Sequence, residues 1–437
     1  MLALSLMLFR VMSLNPEHST VDEESLGADG PWSSFGVSGY AGLITMNTFT
    51  QSSLFYWLFE AIDGNITTDS TPLILWLGGR PGCSGTRAMI WQYISPLHLT
   101  PTGQASRTPL NYTWSTDFHI LTIDFPYGAG YSYSNSYKDE KNNTLDTSYY
   151  LYQFLTKLWR KYPTWFARPV YIFGDAYGGH WVPGLAYTIL QQNALNYTGF
   201  IINLKGLGLA NPWVDPLTQA VEYPTLGISS SLIDDYQESI IRQYTNSISS
   251  FISKSNFSQA YTTWSTMLGY FTQFAGNVNI YNMRLYENYD FTDLITYMNS
   301  ASTKTMLNIP IQSPWIECNS TVRDFYTSDM FNTTIGLLQT VLNQGISVII
   351  YQGQDDIVIS YPGTEDMVSK IIWNGRTKYV STPQVQWMVN GGLAGYAQSG
   401  GNLTFVTVLK AGHYLQYDQP FNVKDMLLRF TNGTGFY

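Results

Sequence analysis

Short, strand-length apolar runs recur along this chain of 437 residues, and they restrict its fold more than any other feature. They fall at Leu54–Glu60, Leu73–Leu77, Ile120–Phe125, Val170–Phe173, Ile201–Leu209, Val348–Tyr351 and Leu403–Leu409. Several are continuous, without polar alternation. A strand of that kind is apolar on both faces and needs covering layers on both, as parallel strands do. Helical spacing lies between them. Leu151, Phe154, Leu155, Leu158 and Trp159 share one face of a helix expected over Asp146–Arg160, with Asp146 as its cap. Further helices are expected at Trp181–Gln192, Thr334–Asn343 and Val423–Phe430. This alternation predicts an α/β fold with a doubly wound, mostly parallel central sheet. Residues 228–308 carry helical periodicity without a strong strand, which predicts a helical cap insertion splitting the core into residues 28–227 and 309–437.

Composition narrows the function classes. The chain is 44% hydrophobic, enough for a large core, but only 12% charged, about half the usual ~25%. Its net charge of −9 argues against nucleic-acid binding. No apolar run reaches the ~18 residues of a membrane span. Residues 1–13 read as a short secretory signal that lacks a basic start, with Val11 and Ser13 at the cleavage positions. Asn-x-Ser/Thr acceptors stand at Asn65, Asn111, Asn142, Asn196, Asn256, Asn319, Asn332, Asn402 and Asn432. Together these point to a glycosylated protein, secreted or in a lysosomal or vacuolar lumen. Two cysteines, Cys83 and Cys318, are either buried thiols or one long bridge. The five histidines, His18, His98, His119, His180 and His413, pair at no metal-ligand spacing, and no cofactor is implied.

The stretch Val170-Tyr171-Ile172-Phe173-Gly174-Asp175-Ala176-Tyr177-Gly178-Gly179-His180 runs from a buried strand through a tight turn into a helix. Gly-x-Ser-x-Gly in that context is the nucleophile elbow, which lifts a serine hydroxyl above the sheet. Here Ala176 holds the central position and offers no hydroxyl.

From these residues outward the chain resembles the serine carboxypeptidase family, on the α/β-hydrolase fold. Ser38-Gly39-Tyr40 and Leu54-Phe55-Tyr56-Trp57 resemble its opening strands. Trp76-Leu77-Gly78-Gly79-Arg80-Pro81-Gly82-Cys83-Ser84 is similar to Trp-Leu-Asn-Gly-Gly-Pro-Gly-Cys-Ser. Asp124–Tyr133, Tyr351–Asp356 and Gly412–Pro420 resemble further family segments. The resemblance implies a triad at Ala176, Asp356 and His413, in which the histidine would take the serine proton and Asp356 would orient the imidazole. It implies oxyanion donors at Arg80 and Tyr177, substrate-carboxylate positions at Gly78, Gln92 and Asp175, and a Cys83–Cys318 disulfide.

Five of those positions depart from the family pattern. Ala176 replaces the serine. Arg80 replaces an oxyanion-hole glycine. Gly78 replaces an asparagine, Gln92 a carboxyl residue, and Asp175 a glutamate one methylene longer. Together they predict an inactive pseudoenzyme that acts in binding or assembly. The alternative is an active carboxypeptidase or acyltransferase, including an engineered Ser-to-Ala variant. Ser84 and Thr86 are the nearest substitute nucleophiles but lie off the elbow. Arg80 is expected to approach Asp175 or fill the old oxyanion volume, or to hold a small carboxylate. A peptide is the other expected ligand. A protein partner would meet the tyrosine-rich cap.

Overall fold

The computed structural model describes residues 28–436, and the proposed signal segment 1–13 lies outside them. Its centre is an 11-stranded sheet. The strands in chain order are β1 (Asp29–Ser34), β2 (Val37–Asn47), β3 (Ser52–Phe59), β4 (Leu73–Leu77), β5 (Leu97–Leu99), β6 (Ala105–Arg107), β7 (His119–Asp124), β8 (Val170–Asp175), β9 (Leu204–Ala210), β10 (Ser347–Gly353), β11 (Val385–Val389), β12 (Gly392–Gly400) and β13 (Leu403–Val408). The sheet order is β1-β2-β3-β7-β4-β8-β9-β10-β13-β12-β11, and β5 and β6 pair separately. From β7 to β13 all neighbours are parallel, while both flanks are antiparallel.

Most of the unbroken apolar runs form the parallel centre for the reason their pattern gives, whereas Leu54–Phe59, buried throughout, lies in β3 and pairs antiparallel on both sides. Along β4, Leu73, Leu75 and Leu77 enter one core layer while Ile74 and Trp76 enter the other, and all five are buried. The first layer is closed by helices Thr144–Lys161 and Gly178–Leu195, through residues such as Leu151, Leu155, Trp181 and Leu185. The second is closed by Thr86–Trp91 and Pro420–Asn432, through Met89, Ile90, Val423 and Leu427.

Helix Thr144–Lys161 starts earlier than its apolar stripe. Asn143, not Asp146, is the cap, and its side-chain oxygen accepts from the Asp146 N–H at 2.9 Å. Asp146 is displaced into the first turn, where a carboxylate suits the helix dipole. Strands β1, β2, β11 and β12 are not among the runs. They lie at the sheet margins, where small and polar residues such as Gly392–Gly400 weaken the apolar signal.

Residues 228–308 lie within a longer stretch between β9 and β10 that contains no strand. Its principal helices are Asp235–Ser253 and Phe257–Phe274. No helix among the described residues is long and apolar enough to cross a membrane.

Cys83 and Cys318 form a disulfide across 235 residues of sequence. It fastens the loop after β4 to the segment that returns from the cap. The Ser84 N–H to Glu317 carbonyl bond at 2.9 Å and the Asn319 N–H to Gly82 carbonyl bond at 2.8 Å reinforce the junction. Loop-closure entropy for so long a loop is on the order of 5 kcal/mol as an upper figure. Replacing both cysteines by serine should lower unfolding free energy by about 2–5 kcal/mol in denaturant titrations; an unchanged midpoint would contradict a structural role.

Candidate active site

Ala176 sits where β8 turns into helix Gly178–Leu195, in the left-handed region at φ 49°. An L-residue there costs about 1–2 kcal/mol, so the surroundings must hold it. The Ala176 N–H donates to the Ala210 carbonyl at 2.9 Å, and the Trp213 N–H donates to the Ala176 carbonyl at 2.8 Å. Below the turn, the Tyr177 hydroxyl and the Thr144 hydroxyl both donate to Asp329 Oδ2 at 2.5 Å. His180 Nδ1 lies 3.0 Å from the Thr144 hydroxyl and 3.5 Å from Asp329. Burial alone would push the Asp329 carboxyl up, but His180, Thr144 and Tyr177 outweigh it and hold the carboxyl below its usual range. Asp329 lies 153 positions from Ala176 and belongs to no quoted motif, so the sequence carried no signal for it.

Asp356 follows β10 and His413 follows β13, and the fold brings them together: His413 Nδ1 lies 2.7 Å from Asp356 Oδ2. Asp356 is fully buried, and burial pushes its carboxyl up against the opposing effect of His413. The neighbouring Asp355 turns instead to Arg284, 3.4 Å away. With Nδ1 engaged by Asp356, Nε2 is the ring nitrogen left to the cavity that His413 lines.

Asn211 secures this arrangement. Its side-chain nitrogen donates to the carbonyls of Gly412 at 3.1 Å and His413 at 2.8 Å, and its oxygen accepts from the Gly353 N–H at 2.7 Å. It is fully buried and adopts φ 41°, a conformation asparagine tolerates well. Two of its partners adjoin the His413 loop and the third ends β10, so one side chain holds together the segments that carry the His–Asp pair.

The first loop departs from expectation. Arg80 is exposed on the cavity rim and makes no ion pair with Asp175. The cation whose charge acts on Asp175 is Arg87, in helix Thr86–Trp91. Arg87 is buried, pairs with Glu317 at 2.7 Å, and lies 5.2 Å from the Phe291 ring and 5.3 Å from the Tyr414 ring. At the expected oxyanion donors it is backbone rather than the Arg80 side chain that meets Tyr177: the Tyr177 N–H donates to the Gly79 carbonyl at 2.6 Å. That carbonyl and the Arg80 N–H belong to one trans peptide and point in opposite directions. The two expected donors therefore do not converge on one point. Glycine is required at 79, where a β-carbon would collide with the Asp175 backbone carbonyl.

Of the three positions expected to meet a substrate carboxylate, only Asp175 lines the cavity. A β-carbon at Gly78 would lie 2.8 Å from Gly85 Cα, so an asparagine does not fit without a backbone shift. Gln92 is buried, with neither amide atom hydrogen-bonded, and does not border the cavity. Burial pushes the Asp175 carboxyl up, opposed by Arg87 and His413. Ser84 and Thr86 both donate their hydroxyls to buried Asp124, so neither is paired with a base as a nucleophile would be.

The cavity above Ala176 has a volume of about 260 Å³. Ala176, Tyr177, Asp175 and His413 form its base, and Tyr261, Trp264, Ser265 and Leu268 of helix Phe257–Phe274 form much of its roof. A larger hollow of about 680 Å³ lies between β1 and Ala301–Asn308 and presents no titratable side chain. Among the described residues, the cluster with metal-ligand spacing is Cys83, Glu317 and Cys318, whose sulfurs are joined in the disulfide.

Of the sequon asparagines, Asn65, Asn111, Asn142, Asn196, Asn256, Asn332 and Asn432 are exposed. Asn402 is not: its side-chain nitrogen donates to the carbonyls of Leu342 and Ile346. Asn319 is half-buried and donates to the Gly128 carbonyl.

Comparison with known proteins gives one consistent result. The serine carboxypeptidase family model matches residues 30–433. Serine carboxypeptidase S10 family member 1 of Dictyostelium discoideum is 30% identical over 397 residues, 89% of this chain and 93% of the relative. The probable serine carboxypeptidase CPVL of the same organism is 29% identical over 405 residues, 91% of this chain and 79% of the relative. In structure, the chain is similar to the prohormone-processing carboxypeptidase Kex1 of Saccharomyces cerevisiae, with a TM-score of 0.79, 22% identity, and coverage of 91% of this chain and 92% of that one. The fold is therefore the α/β-hydrolase fold.

Two outcomes test this geometry. Asn211→Ala strands the Gly353 N–H and two carbonyls, and should lower stability by about 2–4 kcal/mol while speeding amide exchange in the His413 loop; unchanged exchange there would remove Asn211 from its anchoring role. Burial raises the Asp124 carboxyl to about 6, against the hydrogen bonds from Ser84, Thr86 and Tyr131. The folded chain therefore binds that proton more tightly than the unfolded chain. Its contribution grows as pH falls from about 6 toward 4 and is lost as pH rises back through that range. Between pH 7 and pH 4, wild type should gain on Asp124→Asn by on the order of 3 kcal/mol in denaturant titrations; a gap that does not change with pH would refute this.

Proposed function

The chain belongs to the serine carboxypeptidase family, and within that family we propose that it binds ligand without cleaving it. The observation that carries this reading is Ala176 at the tip of the elbow. In the expected triad His413 would take the proton and Asp356 would hold its ring, but the elbow supplies no hydroxyl to give one. In such triads, loss of the nucleophile leaves only ~10³–10⁴-fold acceleration over water, from binding and the oxyanion donors. The Tyr177 to Gly79 bond weakens that remainder too. The chain then acts through its cavity, with residues 228–308 as the cap above it.

The setting we propose is an acidic or secretory lumen. The disulfide suits an oxidising compartment. The exposed sequons suit glycosylation, which we assign to Asn65, Asn111, Asn142, Asn196, Asn256, Asn332 and Asn432. Burial raises the carboxyls of Asp124, Asp175, Asp356 and Asp418, which favours the folded state at mildly acid pH; Asp69, Asp139 and Asp329 act in the opposite sense.

A second reading, an active hydrolase or acyltransferase, is favoured by the intact His413–Asp356 pair and the retained left-handed turn. A serine-reactive fluorophosphonate separates the two. The wild-type chain should remain unlabelled, and Ala176→Ser alone should restore little release of C-terminal residues, because the oxyanion donors still diverge. Labelling of wild type that depends on His413, or robust cleavage by the single variant, would overturn the binding reading.

A further inference from the structure

The cavity's charges are unevenly matched. It is bordered by three arginines, and two have acidic partners. Arg87 pairs with Glu317 at 2.7 Å and also acts on Asp175. Arg323 holds Asp324 through Nε at 3.0 Å and its terminal nitrogen at 2.8 Å. The Arg80 side chain has neither a hydrogen bond nor an ion pair with any described residue. A guanidinium left free on the rim of a cleft is suited to a planar anion, which it binds bidentately.

The rest of the lining is aromatic and aliphatic, chiefly Trp213, Tyr261, Trp264, Leu268, Ile280 and Phe331. Trp264 is fixed by its indole N–H, which donates to the Tyr223 hydroxyl at 2.9 Å, and by packing at 6.0 Å from the rings of both Trp213 and Phe331. A volume of about 260 Å³ falls below the ~300–1,000 Å³ of sites for drug-sized ligands, which favours a compact body over an extended chain. A peptide C-terminus would lack its usual support, since Gly78 leaves no room for an asparagine and Gln92 does not reach the cavity.

We infer that this cavity takes a small aromatic carboxylate, its ring against the Trp264 wall and its anion on Arg80. The inference rests on the proposed binding function and adds the ligand class and the residue that selects it. Anion recognition is moved from the carboxylate-binding positions of Gly78 and Gln92 to an arginine on the same loop as Gly78.

Titration calorimetry on the full chain with 2-naphthoate and with uncharged 2-naphthamide tests it. Naphthoate should bind wild type about 10- to 100-fold more tightly than the amide. Arg80→Gln should abolish that preference, leave amide affinity unchanged and, since the Arg80 side chain is exposed and without a partner among the described residues, leave thermal unfolding unchanged. Trp264→Ala should weaken both ligands together. Equal binding of acid and amide by wild type, a preference that survives Arg80→Gln, or amide and acid binding that ignores Trp264→Ala would each overturn the inference. So would displacement of naphthoate by a lower concentration of N-acetyl-phenylalanyl-phenylalanine. The fluorophosphonate result is read separately: an unlabelled protein with no preference for naphthoate sinks this inference and leaves the binding reading standing.

Discussion

The left-handed turn at Ala176 is the constraint around which the site is arranged. A non-glycine residue holds that conformation only under external restraint. Here the restraint comes from Ala210 at the end of β9, from Trp213 just beyond it, and from the buried Asp329 that receives the hydroxyls of Tyr177 and Thr144. Those contacts draw in the sheet, two helices and the segment that returns from the cap. A turn this heavily braced stays in place whether or not a serine occupies it, which explains how the scaffold tolerates Ala176.

The parallel centre of the sheet was legible in the sequence because strands buried on both faces cannot be disguised: Leu73–Leu77 is the same five residues in both readings. Strands β1, β11 and β12 were not, since polar and small residues break their apolar pattern, and β2 was read only through the resemblance of Ser38-Gly39-Tyr40. The pairing of Asp356 with His413 followed from ordered motifs, as did the disulfide. Arg80 was misplaced for a physical reason. Sequence shows which side chain a loop carries, but not which way its peptide planes face. The Gly79 carbonyl meets the Tyr177 N–H, the Arg80 side chain stays exposed on the rim, and Arg87 is the arginine whose charge acts on Asp175. Asn211 and Asp329 were invisible for a related reason: each acts through several partners distant in sequence.

The His–Asp pair has a structural role of its own. Asp356 accepts from the Ile359 N–H at 3.2 Å, and the His413 N–H donates to the Tyr281 carbonyl at 2.6 Å, so the pair joins a loop after β10 to the cap. Its retention is compatible with packing alone, and the chemistry of the site must be judged at residue 176 and at the oxyanion position.

The hydrogen bond from Tyr177 to Gly79 has a thermodynamic side as well. An enzyme of this fold keeps a backbone donor vacant in a partly dehydrated cleft so that it can meet charge developing on the substrate, and an unmet buried donor costs about 1–3 kcal/mol. Here the protein meets that donor itself. Under the proposed binding role, the chain has moved along the trade-off between stability and activity, recovering as folding free energy what a catalytic relative holds in reserve for its transition state.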